Sequence, residues 1–156
     1  MKIERSGAIF NLIRPMMKIG FTCGAFDVLH AGHALMLEEC KNHCSYLIVA
    51  VQSDPSIDRS DKNKPVQSYE ERKIMVQSIR WVDEIVAYDT EEDLVMLLKD
   101  LKQQKLIDIR IIGADWKGKR FTGDDLGIAA VYNTRNHGYS TTELRKRIAE
   151  AEYLKS

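Results

Sequence analysis

Lys18-Ile-Gly-Phe-Thr-Cys-Gly-Ala-Phe-Asp-Val-Leu-His-Ala-Gly-His33 decides the fold of this chain. Lys18 to Thr22 is short and β-prone and breaks at once into Cys23, Gly24 and Ala25, which predicts a buried strand ending in a tight loop. From His33 onward Met36, Leu37, Cys40 and Cys44 recur at helical spacing, with Glu38, Glu39, Lys41 and Asn42 on the other faces. That stripe predicts a helix covering a sheet. Tyr46 to Val51 (YLIVAV) is a continuous apolar run of strand length, the pattern of a central parallel strand covered on both sides, so the three segments form a βαβ unit.

Outward from this unit the alternation continues. Ser53 to Gln67 is polar and aperiodic and reads as a surface loop. Ser68 with Glu71 is a capping-box pattern that opens a helix from Tyr69 to about Arg80, and Val82 to Val86 reads as a strand. Thr90 starts a helix whose Leu94, Val95, Leu97, Leu98 and Leu101 share a side. Ile109 to Ile112 is a fourth strand ending at Gly113, and Ile128 to Tyr132 a fifth. Ser140 with Glu143 is another capping box, beginning a final helix through Leu144, Ile148 and Ala151. The order βαβαβαββα implies an α/β fold, a Rossmann-like three-layer sandwich with a mostly parallel five-stranded sheet, whose ligands bind at the carboxyl ends of the strands. Residues 1–17 fall outside this scheme and read as an N-terminal extension, leaving 18–156 as a single domain.

With 156 residues, 44% of them apolar, the chain can bury one continuous core. Lys+Arg and Asp+Glu both number 23, which disfavours a protein steered as a whole to nucleic acid or an acidic membrane, so any anion site is local. No apolar run is long enough to cross a bilayer, and Met1 to Met16 lacks the pattern of a secretion signal. Cys23, Cys40 and Cys44 are odd in number and follow no framework spacing. Free thiols in the cytoplasm are the expectation.

The turn between the first strand and helix carries the chemistry. Gly24 and Gly32 allow close backbone approach, and the helix N-terminus supplies unpaired N–H groups suited to a phosphate. His30 and His33, with a glycine between them, can both face a bound triphosphate as hydrogen-bond donors. A lone histidine is more often a satisfied structural residue. The sharper rival is a zinc site from His30, His33, Cys40 and Cys44, against which stands the position of both cysteines on an apolar stripe.

His30-Ala-Gly-His33 after Gly24-Ala-Phe-Asp27 resembles the signature of the cytidylyltransferase-like nucleotidyltransferases. Tyr69 to Lys73 (YEERK), Arg80-Trp-Val-Asp-Glu84, Gly113-Ala-Asp-Trp116 and Arg135-Asn-His-Gly-Tyr-Ser-Thr-Thr142 resemble, in order, successive motifs of bacterial glycerol-3-phosphate cytidylyltransferases. The resemblance implies that His30 and His33 contact the triphosphate and stabilise the transition state. Cys23, Gly24, Ala25, Phe26, Asp27 and Gly32 would form the surrounding nucleotide-binding loop, with Ala25 departing from the family threonine. A loop lysine, Lys62 or Lys64, would assist, Lys64 being the choice. Arg72, Arg80 and Asp83 would approach the acceptor phosphate or a dimer seam. Gly113, Asp115 and Trp116 would hold ribose and base, and Arg135, Ser140 and Thr141 would wall the triphosphate.

The implied reaction joins the α-phosphate of CTP to glycerol 3-phosphate or a similar polyol phosphate and releases pyrophosphate. Mg²⁺ would be bound mainly through the triphosphate, with no protein-held metal, and the protein would be a homodimer taking small-molecule substrates. The same motifs admit ATP with a heptose phosphate, CTP with phosphocholine, or a nucleotide- or zinc-binding module without turnover.

Overall fold

The apolar runs and the helices between them assemble, in a computed structural model that describes residues 7–156, around one sheet. In chain order the helices are α1 (Ala8–Ile13), α2 (Ala31–Asn42), α3 (Tyr69–Gln77), α4 (Glu91–Gln103) and α5 (Thr141–Tyr153). The strands are β1 (Ile19–Gly24), β2 (Tyr46–Gln52), β3 (Glu84–Tyr88), β4 (Ile109–Ile112) and β5 (Ala129–Tyr132). They lie in the order β3-β2-β1-β4-β5, and every pairing is parallel, so the sheet expected to be mostly parallel is wholly so. The sheet grows from β1 towards β3 on one side and through β4 to β5 on the other. At that reversal the loops leaving β1 and β4 diverge, which opens a crevice at their carboxyl ends.

Side chains alternate across the strands. Ile19, Phe21, Ile48 and Ala50 pack on one face with Leu94, Leu98 and Leu101 of α4. Leu47, Val49, Val51, Ile109 and Ile111 pack on the other with Leu37 and Cys40 of α2 and Val76 of α3. All seven residues of β2 are buried, which explains the apolar run from Tyr46 to Val51 that precedes the buried Gln52. Gly20 lets the end of α2 close on the sheet: a Cβ there would lie 2.8 Å from both Cys44 Sγ and Ile111 Cδ1.

Differences from the sequence reading lie at element ends. α3 stops at Gln77 rather than Arg80, because the tight turns Ile79 N to Val76 O and Val82 N to Ile79 O fold Trp81 and Val82 back onto the core, and β3 starts only at Glu84. The boxes at Ser68 and Thr90 are complete, whereas at α5 only the Ser140 half forms, with Ser140 Oγ accepting from Glu143 N. Residues 1–6 of the expected extension lie outside the described residues, but from Ala8 the chain is docked. Phe10 packs on the core, and Arg14 bonds Lys105 O at 2.8 Å and Asp108 Oδ1 at 2.9 Å, while Asp108 Oδ2 accepts from Ile19 N. The six-residue α1 left no periodic stripe to read, since Ile9 and Leu12 face outward. No helix among the described residues is long and apolar enough to cross a membrane.

Candidate active site

At the carboxyl ends of β1, β4 and β5 a cleft of about 840 Å³ lies between α2 and the segment 133–142. His30 is the N-cap of α2: its Nδ1 accepts from Gly32 N at 3.0 Å. His33, in the first turn, returns the bond, its Nδ1 accepting from His30 N at 3.3 Å. The HxGH spacing thus builds a capping box from imidazoles, a role that Ser and Glu fill elsewhere. A neutral imidazole whose Nδ1 accepts carries its proton on Nε2. Both rings, 4.1 Å apart between centroids, therefore present an Nε2–H donor, and that of His30 lies 3.1 Å from Thr141 Oγ1.

Burial sets the charge of the pair. It pushes the His33 pKa down to about 4, with the neighbouring His30 adding to the fall and Asp27 opposing it. His30 is lowered too, first by burial and then by His137. The rings are neutral donors at pH 7 and not cations. Because His33 binds its proton less readily folded than unfolded, its neutral form contributes stability above about pH 6.5 that is lost as pH falls towards 4. The melting temperature should therefore fall over that window. His33→Gln, which keeps an N3 capping acceptor and takes up no proton, should flatten the profile, and an unchanged slope would show that other groups govern it.

The opposite wall comes from the loop after β5. Ser140 caps α5 through Glu143 N, so the amino end of α5 faces that of α2. Two helix N-termini meeting at one cleft favour an anion between them. Gly32 makes the meeting possible, since a Cβ there would lie 2.8 Å from His30 Cε1 and 2.9 Å from His137 Cε1. His137, unassigned in the sequence reading although inside the Arg135 to Thr142 motif, lines the cleft, and its Nδ1 accepts from Tyr139 N at 3.2 Å. Arg135 reaches across to Asp115, Nη1 to Oδ2 at 2.8 Å, closing one rim. Phe26, Val28 and Arg135 have φ of 53°, 49° and 49°, a conformation non-glycine residues rarely adopt, and all three lie on the two loops that frame the cleft.

Of the residues read from sequence, His30, Gly32, His33, Gly113, Asp115, Arg135, Ser140 and Thr141 line the cleft together. The remainder of the first loop supports it. Phe26 is a core residue whose ring fills the space over Gly24 and stands 5.6 Å from His33. Asp27 is buried, its two oxygens accepting from Val66 N and Gln67 N, so it pins the long loop to the turn. Ala25 offers its carbonyl to Arg72, and Cys23 points to the opposite face of the sheet, where burial raises its thiol pKa. Trp116 is exposed beside the cleft, and Lys62 and Lys64 are exposed on the loop outside its wall.

Three placements need correction. Arg72, expected at the acceptor phosphate or a dimer seam, is 1% exposed, and its guanidinium is engaged by the carbonyls of Gln67, Ala25, Gln52 and Ser53. Asp83 and Arg80 lie at the amino end of the strands, away from the cleft. Asp83 accepts from Leu47 N and pairs with Lys41, while Arg80 stacks on Trp81, 4.2 Å from its centroid. A helix ending below the sheet carries whatever follows it to the wrong end. The zinc set does not assemble either. Cys40 is in the core against Met36 and Asn133 with its thiol pKa pushed up to about 11 by burial, and Cys44 Sγ donates to Cys40 O.

Comparison with known proteins shows the family. The cytidylyltransferase-like family model matches residues 21–147. A glycerol-3-phosphate cytidylyltransferase from Bacillus subtilis (strain 168) is 37% identical over 134 residues, 85% of this chain and 98% of that protein. The bifunctional protein HldE of Campylobacter curvus (strain 525.92) is 35% identical over 97% of this chain, which spans 32% of that relative. Among solved structures, a lipopolysaccharide core biosynthesis protein from Thermoplasma volcanium GSS1 superposes with a TM-score of 0.61 at 26% identity, covering 78% of this chain and 99% of that one. A putative nicotinate-nucleotide adenylyltransferase from Vibrio parahaemolyticus, at 17% identity and a TM-score of 0.58, shares the fold. With the imidazole-capped turn set against the Arg135 to Thr141 wall and the family pattern running from Phe21 to Arg147, this chain belongs to the cytidylyltransferase-like family of nucleotidyltransferases.

Proposed function

We propose that the enzyme transfers CMP from CTP to glycerol 3-phosphate or a similar small polyol phosphate. An oxygen of the acceptor phosphate forms the new bond to the α-phosphorus, in line with the breaking bond to the bridging oxygen, and pyrophosphate leaves. The observation that carries the proposal is the 3.1 Å contact from His30 Nε2 to Thr141 Oγ1, which sets two helix N-termini and two neutral imidazole donors around one space. The acceptor phosphate is already an anion and needs no strong base. The catalytic task is to hold two anions together and stabilise the charge that develops between them.

In this reading the Nε2–H groups of His30 and His33 donate to phosphate oxygens. Arg135, Ser140, Thr141 and the free amides of α5 receive the pyrophosphate, Asp115 and Trp116 hold the ribose and base, and Lys64 approaches on its loop. Magnesium enters as part of the substrate, carried on the triphosphate. Assembly as a homodimer belongs to the same reading, and light scattering giving the mass of one chain would remove it.

The same motifs admit a second reading in which the nucleotide is ATP and the acceptor a heptose phosphate. Pyrophosphate release measured with CTP and ATP against glycerol 3-phosphate, heptose phosphate and phosphocholine separates them. The first reading expects the highest kcat/KM with CTP and glycerol 3-phosphate; strict ATP dependence overturns it.

A further inference from the structure

From His30 at the amino end of α2 to Asn42 at its carboxyl end, the cleft follows twelve residues of helix, about 18 Å, which is longer than three linked phosphates require. Its character changes along that length. The histidines stand at the amino end of α2, while Glu38, Glu39 and Asn42 line its carboxyl half, with Asn133 set against Cys40 there. Two carboxylates repel a polyphosphate, so the acidic end suits the uncharged part of a nucleotide.

Asn133 is the unusual residue there. It follows β5, its backbone N–H donating to Ile112 O beside the Gly113 to Asp115 turn, and it is 5% exposed. Its amide orientation follows from its neighbours. Cys40 is a thiol whose S–H is directed at Met36 Sδ, 3.7 Å away, so Cys40 Sγ is left to accept, and the Asn133 NH₂ faces it at 3.5 Å. Asn133 Oδ1 is thereby left buried with no donor. A buried acceptor without a partner is uncommon and costly. The neighbouring Glu39 carboxylate already accepts from Thr134 N, 2.8 Å from Oε1, and Thr134 has no second amide to offer.

We infer that Asn133 selects the nucleobase: its Oδ1 accepts an N–H from an exocyclic amino group, as on cytosine or adenine, and disfavours a base that presents a keto oxygen in its place. The inference rests on the reading that this cleft holds a nucleoside triphosphate, and adds which edge of the base is read. A keto oxygen opposite Oδ1 sets two acceptors face to face and leaves both unpaired, the situation in which a polar site discriminates most strongly. The side chain acts on binding of the base and not on the transferred phosphorus.

Calorimetric binding of CTP, UTP and the triphosphate of the pyrimidin-2-one nucleoside, which has hydrogen where cytosine has its amino group, tests this with no dependence on turnover. CTP should bind the unaltered protein on the order of tenfold or more tighter than either of the others. Asn133→Leu should bring CTP and UTP to within about threefold of each other, mainly by weakening CTP. Equal affinity for CTP and UTP in the unaltered protein, or an unchanged ratio in Asn133→Leu, overturns the inference. Should Asn133→Leu not fold, the amine-less analogue alone decides, and its binding as tightly as CTP is the refuting result. Absence of pyrophosphate release with every nucleotide would instead remove the proposed reaction, while the CTP to UTP ratio would still answer for Asn133.

Discussion

His30→Asn should fold with stability close to the unaltered protein and lose on the order of a hundredfold or more in kcat. The reasoning separates the two nitrogens of one ring. Nδ1 caps α2 through Gly32 N, and asparagine is a good N-cap that can keep that bond. Nε2 reaches the cleft and Thr141, and asparagine is too short to replace it. Alanine at the same position removes both, so His30→Ala should lose activity to the same extent and also about 1 kcal/mol of stability. Removal of one preorganised donor to developing charge typically costs 10²–10³-fold, roughly 3–4 kcal/mol in the barrier. Pyrophosphate release under saturating substrates, together with denaturant unfolding of the three proteins, gives the comparison. A folded His30→Asn that turns over within about threefold of the unaltered enzyme would show that the ring serves only as a cap, and the proposed transition-state role would be gone.

The double use of His30 shows what a sequence displays and what it hides. Strands such as Tyr46–Gln52 and Ile109–Ile112 were legible because both faces are covered and most of their residues are apolar, with Gln52 and Arg110 the buried polar exceptions. The cleft wall was legible wherever a motif sits at a strand's carboxyl end, as with His30, Asp115 and Arg135, since parallel topology sends all such ends to one side. Arg80 and Asp83 fall outside the cleft because they precede a strand, and residues before a parallel strand emerge at the far edge. Asn133 gave no signal, being one polar residue after a short strand. Its unpaired oxygen exists only because Cys40 and Met36, nearly a hundred positions away in sequence, take up the other side of its amide.

Arg72 has the largest expected effect on stability. It is a charged residue in a YEERK pattern, the sort of position normally occupied by a solvated helix arginine, yet it is 1% exposed. Its Nε donates to Gln67 O at 3.2 Å, Nη1 to Ala25 O at 2.7 Å and Gln52 O at 2.6 Å, and Nη2 to Ser53 O. Those carbonyls belong to the loop after β1, the end of β2 and the end of the long loop, three segments that no single stretch of backbone pairing joins. Burial lowers the guanidinium pKa, with Asp27 and Asp54 opposing the fall, but an arginine remains charged throughout the accessible range. The guanidinium acts as a fork that holds the site's frame shut.

Arg72→Ala would leave several carbonyls without a donor in a buried place, each worth about 1–3 kcal/mol, partly recovered by entering water. A net loss of about 3–5 kcal/mol is expected, a large share of the roughly 5–15 kcal/mol that holds a domain of this size together. Lysine should rescue little, because three donors on one nitrogen cannot span carbonyls that approach from different sides. Urea unfolding at low temperature measures the loss, and acceptor kinetics on the folded fraction separate the alternatives. A residue that binds the acceptor phosphate would, when truncated, raise the acceptor KM and leave the unfolding midpoint in place. A residue that ties the frame should move the midpoint far and depress kcat through the displaced turn at Ala25. An Arg72→Ala protein as stable as the original, with only the acceptor KM raised, would restore the acceptor role and refute the structural one.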